Sequence, residues 1–409
     1  MRKFLKIYIG LSFIFSFCFA FSLNSTDPTE LYAAIFYYSQ TKNPIYIDKF
    51  CNFLLNSANR KIKIASAQAL GNYQNNTKSL KCLLKAYRQE KDIKVKKEIL
   101  LNLIGFENEN VTKFFCKVLN STKDENLKSI AISGLMKNPK VCLNLLKKYL
   151  YNSNNPHFQA KILKIFALYK IKVDEKLLLK FLNSSNKDLK VAALKYYLYN
   201  PPSKEIVENI KNIFENDLDP QVKALALEVL LENSNLVEED YLNFALSDED
   251  IRKRIAYRLP FLKNKNLPLS TLNIFLNDKR DFIKIAALTY IGNSKNKKYC
   301  LFLKNFIYKP ISENVKEAYL WAISKLNCPY ALNYLIITIS NLQNNDSLRL
   351  AAARFLKFID KKALEKNKLK LKFLYEKEGL DDIKSYIKDI LDNIQKGEKR
   401  KHEQKTKVR

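Results

Sequence analysis

The 409-residue chain carries 71 Lys and Arg against 41 Asp and Glu, a formal net charge of +30, with seven Gly and two His. His157 and His402 stand far apart, and no HExxH, P-loop, nucleophile elbow or dinucleotide-binding glycine pattern occurs. The composition therefore excludes the common sequence-encoded catalytic centres, and the expectation is a non-enzymatic protein with no cofactor and no metal.

At the N-terminal end, Arg2, Lys3 and Lys6 precede an apolar run from Ile7 to Leu23. Cys18-Phe19-Ala20 places small residues at the minus-three and minus-one positions of a cleavage site. This reads as a secretory signal peptide over 1–20, cut after Ala20, with export to the periplasm or cell envelope. The alternative is an uncleaved segment that anchors the chain and makes the membrane contact. A lipoprotein reading needs a small residue before Cys18, where Phe17 stands. Residues 28–41 form one helix, expected to cap the open end of a helical stack that begins at about residue 44.

From residue 62 a ten-residue phrase recurs ten times, starting at 62, 95, 127, 158, 189, 222, 251, 283, 315 and 348. A period of about 30 residues marks a stack of supersecondary units. Positions 1, 6 and 9 are apolar in every copy, and position 5 in every copy except Ser66. Those spacings fall on one broad side of a helix. Three residues before position 1 stands Asn59, Asp92, Asp124, Asn155, Asn186, Asp219, Asp248, Ser312 or Asn345. Such side chains accept bonds from the first free backbone N–H groups and act as N-caps. Only the eighth copy departs, with Arg280. Asp248-Glu249-Asp250 coincides with a cap, which accounts for that acidic cluster without a cation. A second apolar run lies upstream of each phrase, as in Leu80–Tyr87, Val111–Leu119 and Ile206–Phe214. Each repeat is thus a hairpin of two antiparallel helices, A and B.

Beyond the tenth phrase two more helices are expected. The last has Ile383, Tyr386, Ile387, Ile390, Leu391 and Ile394 on one side. The repeat domain therefore spans 28–395 with a capping helix at each end. Residues 396–409 have little to bury and read as a disordered basic tail.

The phrase resembles that of the HEAT-like repeat family, especially its short, phycobilisome-lyase-type form. The shared features are an apolar residue, a basic residue, an Ala-rich run and Leu-Gly, seen in Ile62-Lys63…Ala69-Leu70-Gly71 and Ile283-Lys284…Ile291-Gly292. The resemblance covers roughly residues 44–360. It implies an all-α fold, a right-handed α-α superhelix (α-solenoid) of about ten hairpins, in an exported bacterial member. Most members are protein-binding scaffolds, some bind nucleic acid and a few are enzymes or lyases.

Charge is unevenly spread. Residues 205–250 hold thirteen acidic and two basic side chains, a net of −11, which leaves +41 for the rest. A polyanion tracking the whole stack meets repulsion in the middle, so nucleic acid is disfavoured as a partner. The acidic band, with Glu238, Glu239 and Asp240, either solvates helix faces or docks a basic partner, including the basic end of a second copy. Position 2 is basic in nine copies, with Gln159 the exception. This ladder either lines a groove or pairs with the capping Asp and Asn of neighbouring repeats. Positions 3 and 7 should face the concave side, where Lys164, Lys195, Tyr257, Trp321, Leu350 and Arg354 form the candidate partner-binding set. Trp321 either anchors a partner or packs on a neighbouring repeat.

Cys51, Cys82, Cys116, Cys142, Cys300 and Cys328 each fall in or at the start of an A helix of a different repeat. Stacked helices sit ~8–10 Å apart, and a disulfide wants Cα atoms within ~7 Å. These cysteines are therefore expected to be small buried core residues. The functional expectation is a protein-binding scaffold of the cell envelope or periplasm. The alternative is a binder of anionic polymers or surfaces (nucleic acid, acidic wall polymer or anionic lipid) through the basic ends.

Overall fold

The computed structural model describes residues 22–306 and 311–407. The expected signal segment 1–20 lies outside them. Among the described residues the regular structure is 24 α-helices and a few 3₁₀ turns, with no strand. No helix among them is long and apolar enough to cross a membrane.

The chain divides into two compact units, Met1–Lys172 and Val173–Arg409, and the boundary falls between repeats four and five. In the first unit, α1 (Pro28–Gln40) packs on the first B helix. Four hairpins come next: α2 (Ile47–Asn56) with α3 (Arg60–Gly71), α4 (Thr77–Gln89) with α5 (Ile93–Leu103), α6 (Glu109–Ser121) with α7 (Glu125–Gly134), and α8 (Leu143–Asn152) with α9 (Pro156–Leu168). Within this unit α3 packs on α5, α5 on α7 and α7 on α9.

The second unit continues the pattern. Its hairpins are α10 (Glu175–Leu182) with α11 (Lys187–Tyr197), α12 (Lys204–Asn216) with α13 (Pro220–Glu232), and α14 (Glu239–Ala245) with α15 (Glu249–Ala256). Then come α16 (Leu269–Leu276) with α17 (Asp281–Ser294), α18 (Lys298–Phe306) with α19 (Glu313–Lys325), and α20 (Ala331–Ser340) with α21 (Asp346–Phe355). A short α22 (Lys361–Lys366) leads to α23 (Lys368–Lys377) and α24 (Asp381–Lys407).

These last two helices are more than caps. Helix α23 packs on the A helix α20, and α24 on the B helix α21, so they form an eleventh hairpin. Ile383, Ile387, Leu391 and Ile394 of α24 are buried. The helix then continues to Lys407, through the segment read from sequence as a disordered tail. Once the packed turns have nucleated a helix, propagation is cheap. Gly397 costs only ~1 kcal/mol there, and the residues after it are mostly good helix formers.

Burial follows the phrase. Positions 1, 5, 6 and 9 of all ten copies are buried, Ser66 included. Each large apolar side chain so placed contributes ~1.5–3 kcal/mol, and none can be covered by its own hairpin alone. The nine expected caps all accept a backbone N–H bond at the start of their B helix. Arg280 caps nothing.

The cysteine expectation is overturned. Cys51 pairs with Cys82, Cys116 with Cys142 and Cys300 with Cys328, at Cα separations of 5.8, 6.1 and 5.5 Å. Helix axes ~8–10 Å apart allow directly facing Cα atoms to approach within ~3.5–5.5 Å, because each stands ~2.3 Å off its axis. Cys142 and Cys328 also sit in turns ahead of α8 and α20, where the axis spacing does not apply. Every bridge joins A-side elements of consecutive repeats.

Candidate functional site

Four of the basic position-2 side chains reach a polar side chain in the turn of the next repeat, whereas Lys223 and Lys284 bond within their own repeat. Lys63 bonds Glu90 at 2.8 Å, Lys190 bonds Asp217, Arg252 bonds Asp278 at 2.6 Å, and Lys316 bonds Asn344 at 2.9 Å. The acceptors lie in the A–B turn of the following repeat, one or two residues ahead of the cap and not at the cap itself. Glu90, Asp217 and Asp278 each also accept the backbone N–H of the capping position. One carboxylate therefore braces a turn and receives a cation from the preceding B helix. Arg349 makes the same contact with Glu378 in the α23–α24 turn, at 2.6 and 2.7 Å, which marks the eleventh hairpin chemically.

Position 7 is exposed in six of the ten copies and buried at Glu228. Lys164, in the first unit, and Lys195 are exposed. Tyr257 is 63% exposed and its ring stacks on Phe282 of the next repeat, 5.6 Å apart and 24° from parallel. Beside this pair lies a cleft of about 460 Å³ between α13 and α15, walled by Gln221, Leu225, Glu228, Arg254 and Arg258. Arg258 Nε donates to Glu228 Oε1 at 2.9 Å. Burial pushes the Glu228 carboxyl above its ordinary value, while Arg258 and the Lys195 charge pull part of the way back. The cleft thus combines an exposed aromatic stack with a partly desolvated acid–base pair.

Trp321 does not share this cleft. It is half-buried, and its indole covers Gly292 of the preceding repeat so closely that a Cβ on Gly292 would overlap the ring. The Leu-Gly ending of the phrase has the same cause at Gly71, where the Asn102 side chain takes the space of a Cβ. Gly292→Ala should displace the indole and cost ~1–3 kcal/mol. Since Trp321 is the only tryptophan, its emission reports the shift directly; unchanged emission and melting temperature would contradict the packing. Further along, Leu350 is half-buried and the Arg354 guanidinium lies 5.6 Å from the Tyr386 ring centre.

Much of the acidic band is engaged within the stack. Lys211, itself nearly buried, is held by Glu208 at 2.9 Å and Glu238 at 2.5 Å. Glu239 accepts from Ser270, Asp219 from Lys187, and Glu232 from the backbone of Lys263 and Asn264. Asp240 is exposed. Among the described residues no cluster of three or more His, Cys, Asp or Glu could hold a metal ion.

The A helices carry a feature that the B-helix phrase does not show. Lys81, Lys85 and Arg88 of α4 face Lys113 and Lys117 of α6 across a groove of about 890 Å³. One carboxylate, Glu109, answers this charge by pairing with Lys113 at 2.7 Å. The spacing of four between Lys81 and Lys85, and between Lys113 and Lys117, was the available signal.

The N-capped B helices, their buried Ala- and Leu-rich face and the hairpin stacking make this an all-α array of stacked helical hairpins, the fold that the resemblance to HEAT-like repeats implies. No family model and no curated protein matches the chain. Among solved structures it is similar to Kap95p, in the structure where Kap95p binding switches the loops of RanGDP, at TM-score 0.46 and 13% identity over 91% of this chain and 58% of that one. It is similar to Kap121p bound to RanGTP at TM-score 0.41 and 12% identity, over 90% of this chain and 47% of that one. The E. coli protein YibA matches at TM-score 0.40 and 17% identity, over 74% of this chain and 97% of that one. The chain therefore spans less than two thirds of the length of either Kap protein.

Proposed function

We propose that the chain is a non-enzymatic, protein-binding scaffold that acts after export, in the periplasm or cell envelope. The observation that carries the binding reading is the Tyr257–Phe282 stack beside the α13–α15 cleft. Aromatic side chains and Arg are enriched among the anchors of protein interfaces. Export is supported by the signal-like residues 1–20 and by the pairing of all six cysteines among the described residues, since disulfides persist in oxidising compartments. Mass analysis of the mature N-terminus tests export: a start after Ala20 agrees, and a start at Met1 argues against it.

The binding reading is tested with the chain as bait in an envelope extract. Tyr257→Ala with Phe282→Ala should lower recovery of a bound partner ~10-fold or more, with the melting temperature nearly unchanged because both rings are exposed. Equal recovery would reject the stack as an anchor.

The α4–α6 groove favours a second reading, capture of an anionic polymer. Salt separates the two, because polyanion binding falls steeply as salt rises, whereas an interface anchored on aromatic rings survives moderate salt.

A further inference from the structure

The end of the second unit carries a surface apart from the aromatic stack and the α4–α6 groove, and it gives the anionic-surface alternative a definite site. Helix α23 turns Leu371 and Leu374 inward, and both are buried. Its opposite side presents Leu369 and Phe373, one turn apart, at 81% and 61% exposure. Leu342, in the turn after α20, projects beside them at 80% exposure. With Ile336 they border a shallow trough of about 620 Å³. A single exposed leucine needs no explanation, but a contiguous projecting patch does.

The surrounding charge is mainly positive, with Glu376 the exposed carboxylate on α23. Residues 361–377 hold seven Lys and two Glu, a net of +5. Lys366, Lys370, Lys372 and Lys377 are all exposed around the apolar side chains. The carboxylate in the trough wall, Glu378, is neutralised by Arg349.

We propose that this face docks on an anionic lipid bilayer. Leu342, Leu369 and Phe373 enter the boundary between headgroups and acyl chains, and the flanking lysines contact lipid phosphates. Outward-projecting Leu and Phe among lysines is the arrangement that seats a helix in that boundary. A groove for a partner helix recesses its apolar residues, whereas these stand out. The proposal is independent of the Tyr257–Phe282 stack and of the α4–α6 groove.

The test is co-sedimentation of the full chain with vesicles of phosphatidylcholine alone, or with roughly one third phosphatidylglycerol. The wild-type chain should partition onto the anionic vesicles, and Leu369→Asp with Phe373→Asp should lower partition about tenfold or more. Tyr257→Ala should leave it unchanged. Unaltered folding of the double variant is checked by its helical circular dichroism. Phe373→Trp provides a readout at the site itself: with brominated lipid in the anionic vesicles, the added emission should be quenched while that of Trp321 persists. Absence of quenching, or equal partition of the double variant and the wild type, overturns the proposal. So does a wild-type chain that ignores anionic vesicles while the double variant releases a bound protein, since the occupant is then a protein.

Discussion

Reduction of the three disulfides should lower the melting temperature by about 10 °C or more, with the larger loss in the first unit. The bridges span 31, 26 and 28 residues. Closing loops of that size removes ~3–4 kcal/mol of chain entropy from the unfolded state for each bridge. In domains of about 150–250 residues, each kcal/mol shifts the melting temperature ~2–4 °C. Two of the bridges, Cys51–Cys82 and Cys116–Cys142, lie in Met1–Lys172 and one in Val173–Arg409. Stability in stacked repeats is a sum of local and nearest-neighbour contributions, so loss of a bridge is felt mainly where it sits. Thermal melts followed by circular dichroism, with and without a phosphine reductant, measure this. Superimposable melts would show that the bridges do not constrain the chain.

The second large effect is expected at Asp278. Its side chain is fully buried and holds two arginines: Arg252 Nε at 2.6 Å and Arg280 Nε at 2.9 Å. It also accepts the Arg280 backbone N–H at 2.9 Å. Removing one partner of a buried ion pair strands the other and costs ~3–5 kcal/mol, so Asp278→Ala should destabilise the second unit by that amount. Asp278→Asn, which keeps an acceptor oxygen but no charge, should lose less. Burial pushes the Asp278 carboxyl upward, but the hydrogen bonds from Arg280 and Arg252 outweigh it and hold the group far below the ordinary carboxylate range. The folded-state value is therefore depressed. The resulting stability is fully present above the unfolded-state pKa of ~4 and is lost as pH falls below it. Denaturant titrations should show the gap between wild type and Asp278→Asn narrowing as pH drops from about 5 toward 2. A gap that stays constant over that range would contradict the assignment.

The repeat core was legible because two independent demands act on the same residues. Burial keeps positions 1, 5, 6 and 9 apolar or small, and helix initiation keeps Asn, Asp or Ser at the cap; both appear as period. What the period does not carry was harder to read. The eleventh hairpin escaped because the residue at its phrase position 6 is Lys388 and its cap position is Leu380. Its stacking shows in the Arg349–Glu378 contact and in the burial of Ile383, Ile387, Leu391 and Ile394. The disulfides were not legible because facing Cα atoms stand closer than the helix axes and because Cys142 and Cys328 lie in turns. The position-2 ladder was visible, yet the partners it reaches in the next repeat are turn side chains ahead of the caps, a choice made by turn geometry.

The candidate site was legible in part. Tyr257 lines the cleft and the Lys195 charge acts on Glu228 in its wall, but Phe282 precedes its phrase and carries no periodic signal. Trp321 was conspicuous as a residue, and Gly292 decides what it does. Glu238 and Glu239 were visible as charge, while Lys211 and Ser270, which engage them, come from other helices.

Next-neighbour stacking is the claim on which every surface assignment depends. Peptide mapping under non-reducing conditions, on the chain isolated from an oxidising compartment, tests it most directly. The structure predicts three linked peptides, Cys51 with Cys82, Cys116 with Cys142 and Cys300 with Cys328, each joining consecutive repeats. A bridge between distant repeats, such as Cys51 with Cys300, would contradict it.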